Sequence, residues 1–323
     1  MIYLATENGL FVCERDKEWA VLRHTLNGQQ VTSVIAREGV ILAGTTDGVF
    51  RSDDEGQTWE EASAGLSHRH VRWMAYHPDV SDLEFAGVEP ACIFISRDGA
   101  NSWRACTEVE ELRDQHGWSM PYSRNAGCVR GFAFHGSRAY AAVEVGGVLR
   151  SDDSGESWRL AEGSDGNPSF EGPPPPFVYP DVHSIHGHPT SPDLVFAATG
   201  GGFYRSSDGG KTWDYLYECY CRSVWADPSD PLHLILGPAD YVDSNGRIEE
   251  THDGGETWHS ASTGLKVPWR RHMVERFTQV DNELFAVLSN GELLSAPLTS
   301  LEWQRILPDV KDVNAVTTMG EIG

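Results

Sequence analysis

Three arginines stand second in short apolar runs, as Val71-Arg72, Val129-Arg130 and Cys221-Arg222. His183 and Glu275 hold the same place in two further runs, after Val182 and Val274. A guanidinium is a planar fork that binds a carboxylate or phosphate through two parallel hydrogen bonds. Several forks converging in a site shielded from water would capture an anion even in a chain of net charge −23. Glu89 and Glu144 end the apolar runs that follow the first two arginines. Neighbouring carboxylates have their pKa values driven apart, and such a pair can act as acid and base on a glycosidic bond. His70, Cys128, Asp181 and His183 offer the mixed N, S and O donors that hold zinc or copper, although no motif fixes their spacing.

Aromatic residues are supplied by long connections. RDQHGWSMPYSRNAG (113–127) brings Trp118 and Tyr122. EGSDGNPSFEGPPPPFVYP (162–180) brings Phe177 and Tyr179, and a later connection brings Trp269. Aromatic faces beside polar groups suit sugars and other ring-bearing ligands. The four consecutive prolines read equally well as a stiff polyproline spacer. His188 aligns with His77, His135 and Asp227, mostly before Pro at a strand end, which assigns them a turn role rather than a metal role.

The elements that must position these residues show in a tryptophan period. Trp19, Trp59, Trp103, Trp158, Trp213, Trp258 and Trp303 are separated by 40, 44, 55, 55, 45 and 45 residues. Five close one phrase: SDDEGQTW (52–59), SRDGANSW (96–103), SDDSGESW (151–158), SSDGGKTW (206–213) and THDGGETW (251–258). Four short apolar runs fall within each period, the pattern of a β-propeller blade. The last run, VNAVTT at 313, is a first strand with nothing after it, and the chain opens on a second, third and fourth strand. The expectation is therefore an all-β, seven-bladed β-propeller of four-stranded antiparallel blades. One blade is shared between the N- and C-termini, in a single domain spanning 1–323.

Within the phrase, Gly admits a positive φ, Asp accepts from turn amides, and Trp covers apolar surface between sheets. These Asp residues are structural on this reading, not catalytic. The phrases resemble the Asp-box, or bacterial-neuraminidase repeat, S-x-D-x-G-x-[ST]-W. That repeat is found in sialidases, xyloglucanases, sortilin-type receptors and photosystem II assembly-factor propellers, so the resemblance implies the fold and leaves the activity open. Arg72, Arg130 and Arg222 look like the sialidase arginine triad that grips a carboxylate. The chain departs from sialidases in having no F/Y-R-I-P segment and seven blades where they have six. Xyloglucanases of this kind resemble two propellers forming a cleft, and this chain supplies one. Assembly-factor propellers are typically exported.

Composition narrows the choice of partner. The 48 Asp and Glu outnumber the 25 Lys and Arg, which argues against nucleic acid and anionic membrane as partners. No apolar run is long enough for a transmembrane helix. The start lacks a secretory pattern and the six cysteines show no disulfide framework, so reduced thiols and a cytoplasmic location are expected. No cofactor is expected. The reading favours a propeller that binds a small anionic or carbohydrate ligand, or an acidic protein segment. Arg72, Arg130, His183, Arg222 and Glu275, with Trp118, Tyr122 and Trp269, would form its site. The alternatives are a glycoside hydrolase or lyase using Glu89 and Glu144, and the metal site above.

Overall fold

The computed structural model describes residues 1–120, 126–169 and 171–320. They form seven four-stranded antiparallel sheets arranged as the blades of a propeller. The innermost strands of the six blades made from continuous chain are Val31–Arg37, His70–Tyr76, Cys128–His135, Val182–His188, Tyr220–Ala226 and Val274–Val280, here blades one to six. In the seventh, the C-terminal strand Val313–Thr317 pairs antiparallel with Ile2–Thr6, which continues into Gly9–Arg15 and Trp19–Thr25. The shared blade has the order expected from the sequence.

The apolar core is divided among the blade interfaces. One cluster joins Leu42 and Val49 of blade one to Val71, Phe94 and Trp103 of blade two. Equivalent clusters lie between each following pair of blades around to the first. Each blade thus buries its faces only against its neighbours, as in a repeat protein.

The repeated phrases fold as turns. Asp54 Oδ1 accepts from the Thr58 amide at 2.8 Å and the Gln57 amide at 3.0 Å, and its Oδ2 accepts from Thr58 Oγ1 at 2.7 Å. The Thr58 amide, followed by its hydroxyl, pulls this carboxyl down to about 2. Asp98, Asp153, Asp208 and Asp253 repeat the arrangement. The periodic tryptophans are anchored less uniformly. Trp103 and Trp303 donate across to the Ala62 and Ala261 carbonyls, both at 2.8 Å.

A helix, Thr107–His116, interrupts the connection after blade two and ends on Gly117 in the left-handed region, φ 66°. The long connection expected at 113–127 thus begins inside a helix. Its signals are Glu108 and Glu110 in the first turn, Arg113 and His116 in the last, and a glycine terminator.

Candidate functional site

Every innermost strand carries a register break at one position. Val71 pairs with Val88 and Trp73 with Gly87, so Arg72 has no partner residue. Thr32, Arg130, His183, Glu275 and Asn314 are skipped in the same way, and in blade five Arg222 and Ser223 together face one residue. A β-bulge leaves its extra residue out of the ladder and re-aims the side chain. Seven bulges at equivalent places therefore set a ring of side chains at one mouth of the channel. This explains why Arg72, Arg130, His183, Arg222 and Glu275 align in the sequence.

The ring is braced from within. Glu275 of blade six accepts from Arg130 Nη2 at 2.5 Å and from Arg222 Nη1 at 2.6 Å. Arg130 also donates to Glu144 Oε2 at 3.0 Å, and Arg72 Nη1 lies 3.5 Å from Glu89 Oε2. Burial pushes the Glu275 carboxyl up, but Arg222, Arg130 and Arg276 outweigh burial and the net shift is downward. Glu144 goes the other way. Burial, then Asp181, pushes it up to about 8. Burial also lifts Asp181 to about 6 and holds His183 well below the usual imidazole value.

A cavity of about 450 Å³ opens above this bracing. Arg72, Arg130, Glu275 and Arg276 line it, with Trp73, His70 and the amides of Gln30, Asn290 and Asn314. Arg276 crosses the channel. Its Nη2 donates to the Arg130 carbonyl at 2.8 Å and its guanidinium carbon lies 3.8 Å from the Trp73 ring centroid. It forms no ion pair among the described residues, and burial, then Arg130, lowers its pKa. The sequence reading missed Arg276. It is the charged member of the next column of inner-strand residues: Ser33, Trp73, Gly131, Ser184, Ser223, Arg276 and Ala315.

Other expected site residues lie elsewhere. Arg222 and His183 are outside the cavity lining. Arg222 is held by Glu275 and lies 3.7 Å from Asp243. Trp118 is 2% exposed in the core between blades two and three and donates to the Gly166 carbonyl, because the helix before it delivers it inward. Trp269 is half-buried beside His272, away from the cavity. Tyr122 lies outside the described residues. Phe177 and Tyr179, with Pro173 and Pro175, line a separate groove with Trp213 and Tyr215. Glu89 and Glu144, the expected acid–base pair, are 7% and 3% exposed and are not part of the cavity wall.

Of the mixed-donor set, Asp181 and His183 meet with Glu144 in a buried cluster, and Cys128 Sγ lies 3.3 Å from Glu144 Oε2. His70 is apart from them, 3.7 Å from Glu89. Arg130 Nη1 sits between Glu144 and His183 Nδ1, at 3.0 and 3.4 Å. His183 Nε2 faces Asp181 Oδ2 at 3.4 Å instead, and has no hydrogen-bond partner among the described residues. His77 and His188 bond to turn backbone, accepting from the Asp79 and Thr190 amides, as their alignment suggested.

Fold and site together define a seven-bladed β-propeller with a polar, arginine-bearing cavity at one mouth. Solved structures share that fold. An ancestral GH74 enzyme is 16% identical over 98% of this chain and 39% of its own, with a TM-score of 0.64. The GH74 xyloglucanase from Xanthomonas campestris is 15% identical over 96% of this chain and 47% of its own, also at 0.64. The chain spans less than half the length of either enzyme. YCF48 from Cyanidioschyzon merolae is 13% identical over 92% of this chain and 97% of its own, at 0.61. YCF48 has also been solved bound to D1 peptide. No family model and no curated protein sequence matches the chain.

Proposed function

We propose that this chain is an Asp-box propeller that binds a small carboxylate-bearing polar ligand, of the class of a sugar acid, in the mouth cavity. The observation that carries the reading is Arg276, a cation without a carboxylate partner among the described residues, beside Arg72 in the wall of one cavity. Arg130 and Arg222 are already occupied by Glu275 and serve the bracing. The rest of the wall suits hydroxyl groups. It has three amide side chains, the hydroxyls of Thr32, Thr46 and Ser289, the Trp73 indole and the His70 imidazole, with the carboxylates of Glu7 and Asp312 as further acceptors for hydroxyl groups. A volume of about 450 Å³ is in the range of small-molecule sites. The fold itself serves both the xyloglucanase and the peptide-bound propeller, so the choice rests on the lining.

Calorimetric titration with glucuronate, galacturonate and N-acetylneuraminate, each against its neutral parent sugar, tests the reading. An acid should bind at least about tenfold tighter than its parent, and Arg72→Gln should remove that margin. Equal binding of acid and neutral sugars would overturn it, as would no binding of any acid. Hydrolysis has one feature in its favour, a Glu144 carboxyl that burial pushes up to about 8. Turnover of any glycoside that Glu144→Gln abolishes would replace binding with catalysis as the conclusion.

A further inference from the structure

A second cluster lies at the far end of blade five. In an antiparallel blade the first-to-second and third-to-fourth connections share one end, opposite the mouth. His233 precedes the second strand, Leu234–Ala239, and His252 follows the third, Glu249–Thr251. Leu234 pairs with Thr251, which sets His233 against His252. Their rings stack at 4.2 Å with an interplanar angle of 18°. Glu250 Oε2 lies 3.6 Å from His233 Nε2 and 3.5 Å from His252 Nε2.

The orientation of His233 is fixed from behind. Asp227 Oδ2 lies 3.2 Å from His233 Nδ1, and Asp227 Oδ1 is itself fixed by the Ser229 amide at 2.8 Å and hydroxyl at 2.7 Å. Nδ1 therefore donates to Asp227, and Nε2 points away from it toward Glu250. Nε2 is buried and has no hydrogen-bond partner among the described residues. A carboxylate behind a histidine whose other nitrogen is free is the outer-shell pattern of metal-ligating histidines.

The other blades show that this is not a generic feature of the turn. At the positions equivalent to Glu250 and His252, blade one has Arg51 paired with Asp53 at 2.8 Å, and blade three has Arg150 paired with Asp152 at 2.6 Å. Blade five has no cation in either position. It presents Glu250 and His252, beside His233, where blades one and three present an ion pair.

We propose that His233, Glu250 and His252 form a site for a divalent transition metal, with zinc the best match to two nitrogens and one oxygen. Their donor atoms lie within 4.8 Å of one another. Donors around a tetrahedral zinc, with bonds of about 2.1 Å, lie about 3.4 Å apart. His252, whose side chain is 61% exposed, closes the gap by rotating. Three protein donors leave a fourth position for water or for a donor from another molecule. The buried Glu144–Asp181–His183 cluster differs in having a cation already paired with it, Arg130 at 3.0 Å from Glu144, and offers a single imidazole.

The test uses the full chain after dialysis against a chelator. Titration with Zn²⁺ should show one ion bound per chain, and Co²⁺ should develop the visible bands of a tetrahedral site. His252→Asn should weaken Zn²⁺ binding at least about tenfold and abolish the Co²⁺ bands. Since His252 is exposed, the variant should unfold at the wild-type denaturant midpoint in the absence of metal. Asp181→Asn should bind Zn²⁺ as wild type does. Substoichiometric Zn²⁺, wild-type binding by His252→Asn, or loss confined to Asp181→Asn would each sink the proposal.

Discussion

Glu275 and Glu144 are both carboxylates of the channel mouth, yet their pKa values are shifted in opposite directions. Two guanidinium groups grip Glu275, whereas Glu144 has one and shares its burial with Asp181. The consequence for stability is a matter of sign. A glutamate in the unfolded chain titrates near 4.3, and Glu144 in the folded chain near 8, so the fold takes up a proton. That contribution is complete below the unfolded value and is lost as pH rises through the folded one. Between about pH 6.5 and pH 8 the wild type should lose roughly 2 kcal/mol from this group, and Glu144→Gln should not. Urea unfolding of both proteins across that window measures the difference. Parallel pH profiles would show that Glu144 is already ionised in the fold. The sequence could align Arg72, Arg130, His183, Arg222 and Glu275 because each occupies the bulge of its strand. It could not show that Glu275 closes on Arg130. Those residues lie on opposite blades, and nothing local in either strand encodes a contact across the ring.

The bulge also explains a feature of the second strand. Residues facing the break are small in six blades: Gly44, Gly87, Ala142, Ala198, Gly237 and Ala5. They are small because the next blade's innermost strand presses on them. A Cβ on Gly87 would meet the Val129 carbonyl oxygen at 2.7 Å, and one on Gly237 would meet Val274 Cβ at 2.5 Å. These atoms belong to backbone or to the base of a side chain and cannot swing aside. Gly87→Ala should therefore destabilise the protein by about 1–3 kcal/mol, the usual cost of overpacking. Gly39→Ala at an open position tests strain of another kind, since nothing lies within 4 Å there and only its φ of +88° opposes a side chain. Its cost should be about 1 kcal/mol. If urea midpoints show the two substitutions to cost the same, close approach of the blades is not what selects glycine. At this scale the boxes and four-strand rhythm were readable from sequence because each blade repeats them. The helix Thr107–His116 was not, since it occurs once and has no equivalent in another repeat to expose it.

Over the whole molecule, stability depends on closing the ring. Val313–Thr317 is the innermost strand of the seventh blade, and Val313, Ala315 and Val316 are each at most 5% exposed. Its partner Ile2–Thr6 is buried along its full length. Without Val313–Thr317 that strand would present an unpaired apolar edge toward the channel, the kind that recruits other chains. The two valines alone correspond to about 3–6 kcal/mol of burial, comparable with the whole stability of a typical domain. Removing residues 313 onward should therefore abolish a single cooperative unfolding transition and promote association. A peptide of residues 311–320 added in trans should restore both cooperativity and the association state of the full chain. The peptide has a defined place to bind, in the register Tyr3 with Thr317 and Thr6 with Val313. Adding Asn314→Ala to the peptide should weaken rescue, because Asn314 donates to the Val31 carbonyl at 2.8 Å and to Glu7 at 3.2 Å, tying the closing blade to the first. Size-exclusion profiles and thermal unfolding of the truncated chain, with and without peptide, provide the readout. A truncated chain that keeps the association state and melting temperature of the wild type would mean that six blades and a three-stranded remnant hold the ring, and that the shared blade is not its closure.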